Sequence, residues 1–131
     1  MEIKLVDIPK IEDRRGNLAV IEKGSIPFEV KRVYYLYDVP SGAYRGGHAH
    51  RIQESLLIAL SGSFEVILDD GTSRERIMLN RPDQGLFIPT GMWREIENFS
   101  SGSVCLVLAS SEYDASEYIR DYDAFKLSKQ A

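Results

Sequence analysis

At 131 residues, with 44% hydrophobic and 27% charged side chains, the chain can bury one core without disulfide or metal staples. Its net charge of -4 argues against general binding to nucleic acid or anionic membranes, whose phosphates call for a basic face. The single cysteine, Cys105, cannot form an internal bridge, and its apolar setting from Val104 to Leu108 reads as a buried strand rather than a catalytic thiol.

The segment Met1 to Asp7 lacks the apolar run of a signal peptide, and nowhere do about 18 uninterrupted apolar residues occur, which predicts a cytoplasmic protein without membrane spans. Leu5 to Ile8 reads as an edge strand ended by Pro9. A polar turn from Asp13 to Asn17, holding Arg14 and Arg15, precedes a second strand from Leu18 to Ile21. Val30 to Tyr37 is rich in β-branched and aromatic residues. Its alternation places Arg32, Tyr34 and Leu36 on one face, and Val33, Tyr35 and Tyr37 on the other.

After a glycine-rich loop from Ser41 to Gly47 come the only two histidines, His48 and His50, with Glu54 four residues beyond the second. Side chains at i and i+2 of a strand share a face, so two imidazoles aim into one space. Such a pair is proton-transfer machinery, part of a metal site, or simply two satisfied polar residues at a strand end. Ser55 to Leu60 and Phe64 to Leu68 are further strands. Asp69-Asp70-Gly71 is a strong hairpin signal, because Asp-Gly tolerates positive φ, and Arg74 to Leu79 pairs back. Leu86 to Ile88, Trp93 to Asn98 and Val104 to Leu108 complete a pattern of short strands that fits a sandwich or barrel.

Only the C-terminus changes period. Asp114 followed by Glu117 resembles a capping box, and Ile119, Tyr122 and Phe125 recur on one helical face, predicting a helix over 114–126 that packs on the barrel.

The spacing around the histidines, Gly42 then His48, His50 and Glu54, resembles the first signature of the cupin superfamily. Gly62 stands one position late for its trailing glycine. Pro89, Gly91 and Asn98 fit the second signature, with Arg94 where a third histidine would stand. The resemblance implies an all-β fold, a small cupin jelly-roll barrel with a short C-terminal α-helix, with 1–131 as one domain. Metal-binding cupins hold their ion with three histidines and a glutamate. A guanidinium stays protonated and offers no lone pair, so Arg94 at that position argues against a metal, and no cofactor is expected.

More narrowly, the chain resembles the sugar 3,4-ketoisomerases that act on a dTDP-linked 4-keto-6-deoxy-hexose. The similar segments are Lys31 to Tyr35, Arg45 to His50, Val66 to Gly71 and Asp114 to Phe125. That resemblance implies a metal-free tautomerisation through an enediol, moving the keto group from carbon 4 to carbon 3 on the way to dTDP-linked 3-amino sugars. It assigns His50 to the carbon-bound proton and His48 to the oxygen-bound one. Arg94, Tyr37 and Arg15 are candidates to meet the enolate oxygen, and Arg32 and Arg45 to meet the pyrophosphate. Glu54 reads either as a carboxylate orienting an imidazole or as the remnant of a metal ligand. A homodimer is expected, with the strands of 1–26 as candidates to pair with a second subunit. The rival readings are a nucleotide-sugar 3,5-epimerase, a non-catalytic sugar- or effector-binding cupin, and a metal-dependent dioxygenase.

Overall fold

The computed structural model describes residues 1–130. Its strands are β1 (Lys4–Asp7), β2 (Lys10–Asp13), β3 (Gly16–Ala19), β4 (Arg32–Leu36), β5 (Arg45–His50) and β6 (Ser55–Ser61). They continue with β7 (Phe64–Asp69), β8 (Arg74–Leu79), β9 (Gln84–Ile88), β10 (Trp93–Glu97), β11 (Val104–Ala109) and the two-residue β12 (Tyr118–Ile119). A single helix, α1 (Tyr122–Ser128), follows. Two antiparallel five-stranded sheets face each other, ordered β1-β9-β6-β11-β4 and β12-β5-β10-β7-β8, and β2 and β3 form a separate hairpin.

Alternation along the first sheet explains its two apolar faces. Leu57, Ala59, Leu86, Ile88, Cys105 and Val107 point inward to the core, where they meet Phe64, Val66 and Leu68 of the second sheet. Their neighbours Leu56, Ile58 and Leu108 point outward and are covered by Ile21, Ile26, Phe28 and Val30 of the chain between β3 and β4. A hollow of about 670 Å³ lies within that outer cover, lined by residues from Ile21 to Val30. It is on the far side of the sheet from the histidines.

Glycine and aspartate set the edges. Asp70 accepts the backbone N–H groups of Thr72 and Ser73 at 2.9 Å, closing the β7–β8 hairpin. Gly85 is required by packing, since a methyl group there would stand 2.7 Å from Leu56 Cγ.

The C-terminus corrects the expected helix over 114–126. Asp114 caps only a short 3-10 turn, Ala115–Glu117, and the helix begins at Tyr122 under a second N-cap, Asp121, whose carboxylate accepts from Ala124 N at 2.9 Å. Between them Tyr118 and Ile119 pair with His50 and Ala49 of β5. Sheet pairing outweighs helical periodicity here because Ile119 can be buried against Ala49, Trp93 and Phe125 while its backbone extends β5. The same packing places Trp93 beneath α1, with its ring centroid 5.6 Å from that of Phe125.

At the N-terminus, β1 pairs with β9 of its own chain, and β2 pairs with β3. All eight residues of that hairpin's strands are exposed.

Candidate active site

β5 carries His48 and His50 inward, and Arg94 of β10 stands in register with His48. Gly46 makes this approach possible. Gly46 and Gly47 have φ of 82° and 75°, and a Cβ on Gly46 would lie 3.1 Å from the Arg94 carbonyl oxygen. The register shifts between Arg94 and Glu95 because β5 carries Gly47 as an extra residue there, while β10 itself runs unbroken beside β7 and its alternation points Arg94 into the barrel and Trp93 and Glu95 outward.

The imidazole rings lie 4.8 Å apart and nearly perpendicular. Tyr118 of β12 covers both, with ring centroids 5.0 Å from His48 and 4.3 Å from His50. His50 is fully buried. Its Nδ1 donates to a carboxylate oxygen of Glu117, whose other oxygen accepts the backbone N–H groups of Ile52 and Gln53 at 3.3 and 3.4 Å. On the opposite ring edge, His50 Nε2 lies 3.3 Å from the Gln53 amide nitrogen. Arg32 orients that amide by donating from Nη2 to Gln53 Oε1 at 2.8 Å, and the amide nitrogen donates to Ser55 Oγ at 3.0 Å.

His48 is built differently. The Gly46 carbonyl supports one nitrogen, while Nε2 is buried without a hydrogen-bond partner among the described residues. Arg94 is also buried; it donates to Ser55 Oγ at 3.2 Å and to the Met92 carbonyl at 3.1 Å, and its Nε has no partner among the described residues. A cavity of about 90 Å³ is bordered by Tyr34, Arg45, Gly46, His48, Leu57 and Arg94, among others. A buried polar atom left without a partner costs about 1–3 kcal/mol. Two such atoms beside one small cavity, an acceptor and a charged donor, mark a place shaped for a polar, electron-rich guest.

Electrostatics fixes the resting protonation. Burial, with the Arg94 charge next, pushes His48 down to about 3; burial, Arg94 and Arg32 do the same to His50. Both imidazoles are therefore neutral at pH 7. The His50–Glu117 contact is a hydrogen bond from a neutral ring to a carboxylate. Burial lowers Arg94 to about 10, which leaves it protonated at neutral pH.

A cupin metal does not fit these donors. The third imidazole's place holds a cation, and Nδ1 of His50 is committed to Glu117. No group of three or more His, Cys, Asp or Glu side chains among the described residues is disposed to hold an ion.

The structure brings His48, His50, Arg94, Arg45 and Arg32 into one neighbourhood. Two expected residues lie elsewhere. Tyr37 is 61% exposed on the outward face that alternation had given it, and Tyr34 from the inward face borders the cavity instead. Arg15 sits on the exposed hairpin, paired with Asp13 at 2.8 Å. Glu54 does not orient an imidazole, and among the described residues its side chain bonds to neither ring. The strand ends at His50, so alternation fails beyond it and Gln53 turns inward in place of Glu54. The carboxylate that meets His50 Nδ1 is that of Glu117, which in the sequence stands inside an apparent capping box. Arg120, whose guanidinium carbon lies 4.4 Å from the Tyr118 ring centroid, also adds positive charge near the pair.

The fold and site together define a cupin-like barrel whose customary metal position is occupied by two neutral imidazoles and a buried guanidinium. The family model described as FdtA, WxcM-like, C-terminal matches residues 1–130, and the chain belongs to that family. It is 47% identical over 127 residues to the TDP-4-oxo-6-deoxy-alpha-D-glucose-3,4-oxoisomerase of Aneurinibacillus thermoaerophilus, covering 96% of this chain and 91% of the relative. Among solved structures, a 3,4-ketoisomerase from Helicobacter canadensis has a TM-score of 0.96 at 47% identity, covering 100% of this chain and 99% of that one. QdtA, a sugar 3,4-ketoisomerase from Thermoanaerobacterium thermosaccharolyticum solved with TDP, has a TM-score of 0.95 at 40% identity, over 98% and 94% of the two chains. A histidine-to-asparagine variant of that enzyme is known in complex with TDP-4-keto-6-deoxyglucose.

Proposed function

We propose that this protein is a metal-free isomerase that moves the keto group of dTDP-4-keto-6-deoxyglucose from carbon 4 to carbon 3, serving the synthesis of dTDP-linked 3-amino sugars. The observation that carries this reading is the bare Nε2 of His48 beside the bare Nε of Arg94 at one buried cavity. The substrate class is that of the relatives' names, which are close in sequence over nearly the whole chain.

The reaction breaks a C–H bond at carbon 3 and an O–H bond on its hydroxyl, and makes a C–H bond at carbon 4 and an O–H bond on its oxygen. No redox partner is needed. His50 Nε2 takes the carbon 3 proton, displacing the long contact with the Gln53 amide. Negative charge grows on the carbon 4 oxygen, where the Arg94 guanidinium meets it in a water-poor pocket. His48 receives the hydroxyl proton on its free Nε2 and passes it to that oxygen. His50 then returns its proton to carbon 4. Arg45 and Arg32 meet the pyrophosphate; what supports this is Arg45 at the cavity mouth and an Arg32 Nε without a partner among the described residues.

Incubation with the 4-keto sugar in deuterated buffer tests this. The expected result is a 3-keto product whose carbon 4 carries the original carbon 3 hydrogen where it is returned before exchange, and deuterium where the stored proton has exchanged with solvent. Label at carbons 3 and 5 with inverted configuration means an epimerase, and binding without exchange or a new product means a sugar-binding module. In a His50→Asn variant, exchange at the wild-type rate overturns the assignment of the carbon proton.

The protein acts in the cytoplasm as a homodimer, with the N-terminal strands against the second subunit. What supports the dimer is the fully exposed β2–β3 hairpin, with Ile11 and Leu18 60% and 58% exposed. The unpaired edge strand β4 adds Val33 and Tyr35, 54% and 58% exposed. Light scattering that returns a monomer mass at micromolar concentration refutes it.

A further inference from the structure

Arg94 is a buried charge with no side chain of opposite sign against it among the described residues. It is 3% exposed, its two partners, Ser55 Oγ and the Met92 carbonyl, are uncharged, and its Nε donates to none of the described residues. The carboxylate whose charge reaches it, Glu117, is already bonded to His50 Nδ1 and to the N–H groups of Ile52 and Gln53. Around that carboxylate stand Arg94, Arg32 and Arg120, with Arg45 at the edge of the cavity, so the neighbourhood carries a surplus of positive charge. We propose that, until the sugar binds, the cavity holds a small monovalent anion against Arg94 Nε, and that such anions compete with the substrate.

The size and the walls of the cavity select the guest. Its volume is about 90 Å³, and a molecule of liquid water takes about 30 Å³, so a halide-sized ion fits with a water or two. Leu36, Leu57, Ile96 and Val107 line it with hydrocarbon. The cost of stripping water from an ion rises with the square of its charge. One guanidinium therefore offsets that cost for a monovalent ion, and not for sulfate or hydrogen phosphate.

An anion with one water satisfies both orphaned atoms of the cavity. The Gly46 carbonyl accepts from one nitrogen of His48, which leaves a lone pair on Nε2. A lone pair repels an anion, so the two do not touch. A water between them donates one hydrogen to Nε2 and the other to the ion, while Arg94 Nε donates to the ion from its other side. An oxyanion formed on a bound sugar takes this same place beside the guanidinium, so ion and sugar exclude each other. The competition rests on the isomerase reading above; occupancy of the site rests on the surroundings of Arg94.

Bromide is the probe, exchanged against gluconate, which is too large for the cavity, at constant ionic strength so that general screening is equal. In the wild type the apparent KM for the 4-keto sugar is expected to rise linearly with bromide, about threefold at twice the inhibition constant, with kcat unchanged. Relative to gluconate, bromide is expected to raise the thermal midpoint of the wild type and to leave that of Arg94→Met where it was. Bromide-soaked crystals of the wild type, which need no variant, are expected to show anomalous scattering in contact with Arg94 Nε. Equal KM in bromide and gluconate, or a fall in kcat at constant KM, overturns the inference. So does a midpoint rise that persists in Arg94→Met, or bromide found at surface positions alone, an adventitious ion only. A protein that binds bromide at Arg94 and converts no 4-keto sugar defeats the isomerase reading and leaves the anion site standing.

Discussion

Acidification from pH 7 to 5 is expected to weaken the fold before the carboxylates titrate, and the two imidazoles set the size of the effect. In the folded protein His48 and His50 are held down to about 3, from an ordinary value of 6.5 that the unfolded chain regains. Between those values the unfolded chain binds more protons, so this stability is complete above pH 6.5 and drains away as the pH falls toward 3. At about 1.4 kcal/mol per pH unit, the descent from 6.5 to 5 removes roughly 2 kcal/mol through His48, and His50 adds less, because a proton there gains an ion pair with Glu117. That is a large share of the ~5–15 kcal/mol that holds a typical domain together. Asp13, Asp69, Asp70, Asp83 and Asp114 are also lowered from an ordinary value of 3.8, so their losses begin only as the pH approaches that value. The assay is urea unfolding at pH 7.5, 6.5 and 5, beside a double His48→Asn, His50→Asn protein whose profile flattens. Stability at pH 5 within about 0.5 kcal/mol of that at pH 7, or above it, refutes neutral burial of the pair.

Replacing Arg94 with Met removes the charge that meets the developing oxyanion, and kcat is expected to fall by about 10²–10³-fold. Because its present partners, Ser55 Oγ and the Met92 carbonyl, are uncharged, the urea midpoint of that variant should hold or rise. Turnover after exhaustive chelation is expected to equal that of untreated enzyme, and recovery of lost activity by added iron, manganese or zinc would revive a metal mechanism. Phe125→Ala leaves a void where α1 meets Trp93 and Ile119; about 3–5 kcal/mol should be lost, read from denaturant unfolding.

The parts of the site legible in the sequence are those governed by strand alternation. His48 and His50 share a face because β5 is extended through both, and the cupin spacing located Arg94 opposite them. The same alternation had already set Tyr37 apart from Arg32 and Tyr34, and the barrel keeps that division. What escaped the reading lies where local and long-range preferences compete. Asp114 and Glu117 satisfy a capping pattern, yet Glu117 is drawn out of it by a partner 67 residues away. Glu54 follows the cupin spacing, but the turn after His50 gives its inward place to Gln53. Neither outcome is encoded within a short window; both depend on how the C-terminal segment lies against β5.

That lie of the C-terminal segment has a consequence for the order in which the protein becomes competent. Synthesis runs from the N-terminus, so both five-stranded sheets, short of β12, exist as polypeptide before Glu117 and Tyr118 emerge. The barrel can close around His48, His50 and Arg94 while the second imidazole still lacks its carboxylate and its aromatic cover. Completion waits for the last turn of chain, where Phe125 is fully enclosed and Tyr122 donates its hydroxyl to Asp69 at 2.6 Å. A chain cut short after β11 would thus be a barrel without a tuned proton carrier, separating the stage at which the molecule acquires its shape from the stage at which it acquires its chemistry.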